Sequence, residues 1–512
     1  MRNPLVVATL LTLTSQACRA SEIADPGYQA ADTTIITVDY AATLQRVDGF
    51  GGTTLSLVYP NGDHLGSYRP AAIKAAFGGV GLSLGLLNLG VVETPAGGAD
   101  LFGRRANDNP DPFLIDPAGF DFTGSELIRD KVLAPAEAFG YTDLTLGPLL
   151  NLRGPLSWMQ PIRSTDYQRY LDEAAEHVLA IMLHWRDADN RTPRLLQLFN
   201  EPTTGNSELQ SSSIQEVVDL VKRIGERLRA AGFGSVKFLV PNEETIGRSL
   251  EVARAILGDP QAGQFVGAIG YHPYPYGSVY VSVRRILETS GSGEPDATAR
   301  QQLEQLKALG QQYGVPVWMT EVTEGPGTED YAIDAIENVL ARAIHIHDNF
   351  EYAGASAFFG MQTIWDSQTH EEHFAGRNVP FLSDHSSIIL ADVRSGTIHI
   401  TGMGYAIGHY AHWIRPGALR VATSSNRPRV LVSSFRDAAD GHLVVVAVNN
   451  EPTAQALRIQ LTGATAKGPV TGEESYASLR WRIISPFAPA ANGEIEFVAP
   501  ARSVVTLAIP VG

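Results

Sequence analysis

Arg194-Leu195-Leu196-Gln197-Leu198-Phe199-Asn200-Glu201-Pro202 is the stretch on which the fold turns. An apolar run of strand length ends abruptly in Asn-Glu-Pro. A proline cannot extend a hydrogen-bonded ladder, so the strand must stop there with a carboxylate at its carboxyl end. In a barrel of parallel strands that end is where chemistry sits. A second stretch, Val315-Pro316-Val317-Trp318-Met319-Thr320-Glu321, repeats the arrangement. Two carboxylates at the mouth of one barrel are what glycosidic bond cleavage needs.

Working outward from these two strands, apolar runs alternate with amphipathic helices for over 300 residues, the pattern of a parallel α/β fold. The strands are read at 48–52, 82–89, 144–150, 194–199, 236–240, 265–270, 315–321 and 354–359, with helices at 166–186, 211–231, 297–313 and 330–350. Eight strands with helices between them predict a (β/α)8 TIM barrel over 47–412. The first barrel strand is marked by Asp48-Gly49-Phe50-Gly51-Gly52, where three glycines in four residues signal a close backbone approach. The Gly-, Asp- and Pro-rich loop at 95–121 and the polar loop at 360–386 lie on the carboxyl side of barrel strands and should wall the cleft. After residue 412 the composition changes to short β-branched runs at 430–435, 443–449, 456–461, 494–498 and 503–509. These predict a C-terminal side β-sandwich over 413–512. The run Thr33–Val38, within an N-terminal segment at 30–46, has no helix between it and its neighbours. It is expected to join that sheet, so that the two domains unfold together.

The chain has 512 residues, a hydrophobic content of 44%, a charged content of 18% and a net charge of −16. A large domain with a smaller companion is expected at this length. The acidic balance argues against nucleic acid or an anionic membrane as partner, and it favours a neutral substrate. Residues 1–20 read as a secretory signal, with Arg2, the apolar run Leu5–Leu13 and a small-residue site at Ser15-Gln16-Ala17 or Cys18-Arg19-Ala20. The apolar run is too short to span a bilayer, so no transmembrane segment is expected. A periplasmic or secreted protein is the expectation; acylation of Cys18, the chain's single cysteine, is the alternative. A mature chain cut after this segment has no disulfide, thiol nucleophile or cysteine-based metal site. The oligomeric state is not readable, and a monomer is the default.

A known family also comes into view. Asp48-Gly49-Phe50-Gly51-Gly52, Trp158-Met159, Asn200-Glu201-Pro202 and Trp318-Met319-Thr320-Glu321 resemble glycoside hydrolase family 30. So do Ile407-Gly408-His409-Tyr410, Ile414-Arg415-Pro416-Gly417 and the ending Pro500-Ala501-Arg502-Ser503-Val504. The resemblance implies a barrel fused to a side β-sandwich and hydrolysis of a β-glycoside with retention of configuration. It makes Glu201 the acid/base, Glu321 the nucleophile, and Asn200 a contact for the sugar's 2-hydroxyl. The chain departs from the family where Leu86, Leu87 and Asn88 stand in place of an arginine-bearing segment. It departs again at Gly360-Met361-Gln362, in place of a tryptophan for which Trp365 could substitute.

The remaining candidates follow from the chemistry. Glu201 must start protonated, whereas Glu321 must be ionised to attack. His272 and Tyr274, after the sixth strand, are suitable donors to hold that charge. Trp158 and Trp365 could stack on sugar faces, whereas Trp318, inside a strand, reads as core. Glu243, Glu244 and Glu324 read as solvated or salt-bridged acids. The cluster His370-Glu371-Glu372-His373 lacks the spacing that puts two ligands on one helical face and is placed in a loop. No metal or other cofactor is expected. The rival to a hydrolase is a catalytically inactive carbohydrate-binding protein on the same scaffold.

Overall fold

A computed structural model describes the chain from residue 33 to residue 512, apart from 54–63, 89–105, 121, 123–125, 127–128, 141–142, 148, 151, 153–155, 205–208, 210, 275–282, 293–295, 323–330, 377–378, 384, 386 and 438. The leader read at 1–20, the first part of the 95–121 loop and Glu324 therefore lie outside the described residues.

Eight parallel strands close into a barrel: β2 (Gly49–Thr53), β3 (Leu84–Asn88), β4 (Asp143–Gly147), β5 (Leu195–Gln197), β6 (Lys237–Thr245), β7 (Val266–Tyr274), β8 (Val317–Met319) and β9 (Ala355–Asp366). Each pairs with the next, and β9 pairs with both β8 and β2, which closes the ring. The barrel interior is filled by Leu195, Leu239, Ala268, Trp318, Ala357 and Phe359, contributed by five of these strands. Trp318 stacks on Phe359 and its indole N–H donates to Asp48 at 2.8 Å, so it is a plug inside the barrel.

The outer helices form where local signals and an apolar face agree. Helix Tyr167–Asp187 is capped by Asp166, which accepts from the Arg169 N–H. Its buried residues Tyr170, Ala174, Val178, Ile181 and Trp185 recur at helical spacing. Helix Ile214–Ala230 is capped by Ser213, whose hydroxyl oxygen accepts from the Glu216 N–H. Helix Ala297–Tyr313 is capped by Asp296 and ends at Gly314, whose φ of 65° suits glycine.

Three strands outrun their sequence reading. Val240 was expected to end β6 because Pro241 follows. The strand instead continues to Thr245, with its register slipping between Pro241 and Glu243, and a bulge is one of the few places where a sheet accepts proline. β7 continues through Tyr274 rather than stopping at Gly270. β9 continues to Asp366 and pairs with β10 (Ser387–Asp392), which pairs in turn with β11 (Thr397–Ile400). Much of the expected polar loop at 360–386 is thus strand and helix. The His370–His373 cluster, expected in a loop, belongs to helix Ser367–His373.

The second sheet has nine strands in the order β17-β16-β19-β14-β13-β12-β1-β15-β18. Here β1 is Thr34–Arg46, β12 Leu419–Ser425, β13 Val430–Arg436, β14 Leu443–Asn449, β15 Gln455–Thr462, β16 Val470–Tyr476, β17 Leu479–Phe487, β18 Ile495–Ala499 and β19 Ser503–Ile509. As expected, the N-terminal strand joins it, antiparallel to β12 and parallel to β15. β12, β16 and β17 escaped the sequence reading. Helices Ile336–Tyr352 and Gly402–Ala411 lie between barrel and sandwich. Phe350 contacts Phe50 of the barrel and Phe435 of the sandwich, and one buried apolar cluster runs from the barrel through these helices to Val444 and Val504.

Candidate active site

The carboxyl ends of β5 to β8 bring four predicted residues together. The His272 ring Nδ1 lies 2.9 Å from the Glu201 carboxyl and 3.8 Å from that of Glu321. The Tyr274 hydroxyl donates to Glu321 at 3.1 Å. One oxygen of Glu201, one of Glu321 and a ring nitrogen of His272 all lie within 4.8 Å of one another. Among the described residues this is the one group of three or more His, Asp or Glu side chains with metal-ligand spacing. Its internal contacts are those of two acids bridged by an imidazole that can hold a proton.

Burial pulls the His272 imidazole down, but the charges of Glu321 and Glu201 and the bond to Glu201 outweigh it and leave it at about 8. Burial pushes the Glu321 carboxyl up, with the nearby charge of Glu201 adding to it, while His272 and the Tyr274 hydrogen bond pull it down. His272 and Tyr274 are therefore the two groups that favour an ionised Glu321.

Backbone geometry aims Glu201. It has φ +46°, the left-handed region that a non-glycine residue enters at a cost of about 1 kcal/mol or more. Its N–H donates to the Asn242 carbonyl at 2.8 Å, and its own carbonyl accepts from Thr204 at 3.0 Å. Asn242, also left-handed at φ +57°, reaches the other acid's strand: its side-chain oxygen accepts from the Thr320 hydroxyl at 2.8 Å. One buried asparagine thus ties both acid-bearing segments to β6. The approach needs Gly270 on β7, because a Cβ there would lie 1.9 Å from the Asn242 side-chain oxygen.

Asn200 is partly exposed on the same turn as Glu201. Trp158 is partly buried at the start of helix Met159–Thr165, which follows β4, and packs against the barrel core. Trp365 is 4% exposed, clustered with Ile333, Leu390 and Phe381 and edge-on to His373. An indole so enclosed has little face left for a sugar, and packing is the role its surroundings give it. Sequence reasoning missed Asn242 and Thr320 and misjudged Glu243. Far from being solvated, Glu243 is 0% exposed, and burial pushes its carboxyl up to about 7 against the pull of Thr203 and Arg248. Its signal was its place at the end of a barrel strand.

Comparison with known proteins agrees with this architecture. Residues 417–507 match the model described as the glycosyl hydrolase family 30 beta sandwich domain. Two Caenorhabditis elegans proteins with glucosylceramidase in their names are 25% identical over 269 and 268 residues, about half of this chain. Glucuronoxylanase XynC of Bacillus subtilis is 24% identical over 243 residues, 46% of this chain. The chain spans less than half the length of these relatives, at 46%, 45% and 44%. Solved structures match over nearly the whole chain. SrfJ of Salmonella typhimurium matches with a TM-score of 0.67, 16% identity and 94% of each chain covered. The catalytic domain of GH30 xylanase C from Talaromyces cellulolyticus matches with a TM-score of 0.64 and 18% identity, covering 93% of this chain and 99% of that one. By sequence, residues 417–507 match the family 30 β-sandwich domain, and over nearly its whole length the chain shares the fold of these barrel-and-sandwich structures.

Proposed function

We propose that the protein is a retaining β-glycoside hydrolase that works by double displacement on a neutral β-linked sugar, with Glu321 as nucleophile and Glu201 as acid/base. The observation that carries this reading is the approach of the two acids, whose nearest described ligand oxygens are no more than 4.8 Å apart. Retaining pairs lie about 5–5.5 Å apart because the nucleophile bonds the sugar directly, whereas inverting pairs stand about 6.5–9.5 Å apart to admit a water.

In the first step a Glu321 carboxylate oxygen attacks the anomeric carbon while Glu201 gives its proton to the departing glycosidic oxygen. Burial leaves the Glu321 carboxyl raised on balance, and the Tyr274 hydroxyl and the positive charge of His272 oppose that push, favouring the ionised form that the attack needs. In the second step Glu201, now a carboxylate, takes a proton from water as the water oxygen displaces Glu321 from the sugar. The protonated His272, 2.9 Å from Glu201, can donate to that carboxylate once the carboxyl's own proton has left for the leaving group. Asn200, beside Glu201, suits a contact to the sugar's 2-hydroxyl, and Trp158 suits a stacking surface. The sequence at 1–20 supports a secreted or periplasmic enzyme as part of the same reading.

Substitution of each acid, followed by azide rescue, tests the assignment. Glu321→Ala should lower turnover of any aryl β-glycoside that the wild type accepts by about a thousandfold or more. Azide filling the vacated space should give an α-glycosyl azide. Glu201→Ala should still be glycosylated by a substrate with an acidic phenol, because that leaving group needs little protonation. Azide, needing no base, should then restore turnover as a β-glycosyl azide. A β-azide from Glu321→Ala, or no effect of either substitution, overturns the assignment.

A further inference from the structure

Glu243 lies two residues past the proline of β6, on the part of the strand that the sequence did not foretell. One carboxyl oxygen accepts from the Thr203 N–H at 3.1 Å, two residues beyond Glu201. The other, Oε2, is buried and has no hydrogen-bond partner. Arg248, from the helix that follows β6, donates to the Thr203 hydroxyl at 2.7 Å and pairs with Glu251 at 2.5 Å. Ser249 of that helix donates to the Glu243 backbone carbonyl at 3.1 Å. The charge of Glu201, on the turn after β5, pushes the Glu243 carboxyl up, and the charge of Glu243 pushes the His272 imidazole on β7 up. A carboxyl group with one oxygen unsatisfied and no exposure is costly to keep in a fold.

We propose that Glu243 is a positioning residue of the site, whose carboxyl group holds the turn that carries Glu201 and sets a further negative charge within electrostatic reach of the His272–Glu201 pair. The inference rests on the double-displacement reading for its catalytic consequence, but the residue's effect on His272 can be measured without turnover. The sign follows from the groups named. Glu243 titrates at about 7, so it gains its charge around neutrality. A negative charge nearby favours the protonated imidazole, so His272, at about 8, keeps its proton further into alkaline solution than it would alone. Arg248 works in the same direction, because its charge pulls the Glu243 carboxyl down and so favours its ionised form.

The experiment is a pH titration of the His272 ring by NMR, on the full chain labelled with 15N-histidine, the signal being identified by its loss in His272→Asn. Glu243→Gln keeps an oxygen to accept from Thr203 but loses the charge, and it should lower the His272 midpoint by about half a pH unit. Glu243→Asp restores the charge and should bring the midpoint back. Should Glu243→Gln not fold, the wild type labelled at glutamate carboxyl carbons gives a second readout. It should show a carboxyl midpoint near 7 that persists in Glu201→Gln and Glu321→Gln. An unmoved His272 midpoint, or the lack of that carboxyl signal, overturns the proposal. Where the wild type hydrolyses an aryl β-glycoside, the alkaline limb of kcat/KM should move with the His272 midpoint. A moved midpoint in a protein that hydrolyses none supports the role of Glu243 and sinks the hydrolase reading instead.

Discussion

Thr320 and Asn242 show how single buried atoms govern the site. The Thr320 hydroxyl fills the one side-chain acceptor that Asn242 turns toward β8, and the next residue is Glu321. Thr320→Val keeps the shape and removes the donor, stranding a buried amide oxygen. The expected cost is about 1–3 kcal/mol of stability. Because Glu321 is adjacent, kcat on an aryl glycoside should fall by about tenfold or more with little change in KM. Thermal unfolding and steady-state kinetics on one preparation check both; a loss of stability with unchanged kcat would mean that the contact serves only the fold. The two main acids were legible in the sequence because each ends an apolar strand, so its position follows from a pattern of two. Asn242 and Glu243 were not legible, since Pro-Asn-Glu-Glu reads as a solvated turn. Their burial comes from β5 and β7 closing over them, which no local spacing encodes. Trp365 failed for the opposite reason. It looked available because it lay within the expected polar loop at 360–386, yet β9 runs on through it and Leu390 of β10 packs beside it.

At the scale of elements, the four helices read from the sequence are all present, although the last begins at Ile336 rather than at 330. Helices Ile246–Gly258 and Gly402–Ala411 were missed, and strand ends were read badly. Helix 297–313 was placed to the residue because Asp296 caps it and Gly314 stops it, and both signals are local. Strand ends in a barrel depend on where the neighbours stop, so β6, β7 and β9 all ran on past their expected limits. The run-on of β9 leads directly into helix Ser367–His373, whose start is fixed by Asp366. That carboxylate accepts from the Gln368 and Thr369 N–H groups at 3.0 and 2.8 Å and from the Thr369 hydroxyl at 2.5 Å. Asp366→Ala should remove the cap and lower stability by about 1–2 kcal/mol. Trp365, edge-on to His373 of this helix, should report the change as a shifted tryptophan emission. An unaltered melting midpoint and spectrum would show that the helix is held by β10 and Phe381 alone.

For the whole molecule, the decisive feature is a seam lined with neutral histidines. His347, from helix Ile336–Tyr352, bonds Ser433 at 2.8 Å, and His409, from helix Gly402–Ala411, bonds Ser475 at 2.7 Å and Thr506 at 3.1 Å. Burial pushes both imidazoles down to about 3, with the charge of Arg420 adding at His347 and that of His412 at His409. Their folded values lie below the unfolded value of about 6.5, so the stability they lend is whole above that pH. It drains as pH falls toward 3, at up to about 1.4 kcal/mol per unit for each histidine. The urea midpoint should therefore fall between pH 6.5 and 5, and His409→Asn should flatten that slope. An equal slope in the variant would assign the acid sensitivity elsewhere. The sandwich also takes β1 into its interior, between β12 and β15, with Ile35 bonded to Asn426 across 391 residues of chain. On the ribosome β1 emerges before any of its sheet partners, and the whole barrel is made while it waits. Pairings so distant in sequence form slowly, because the loop they close must be ordered first. Until β12 and β15 have been made, β1 therefore lacks both of its sheet neighbours, and β16 joins β14 only through β19, which follows every other described strand of the sheet.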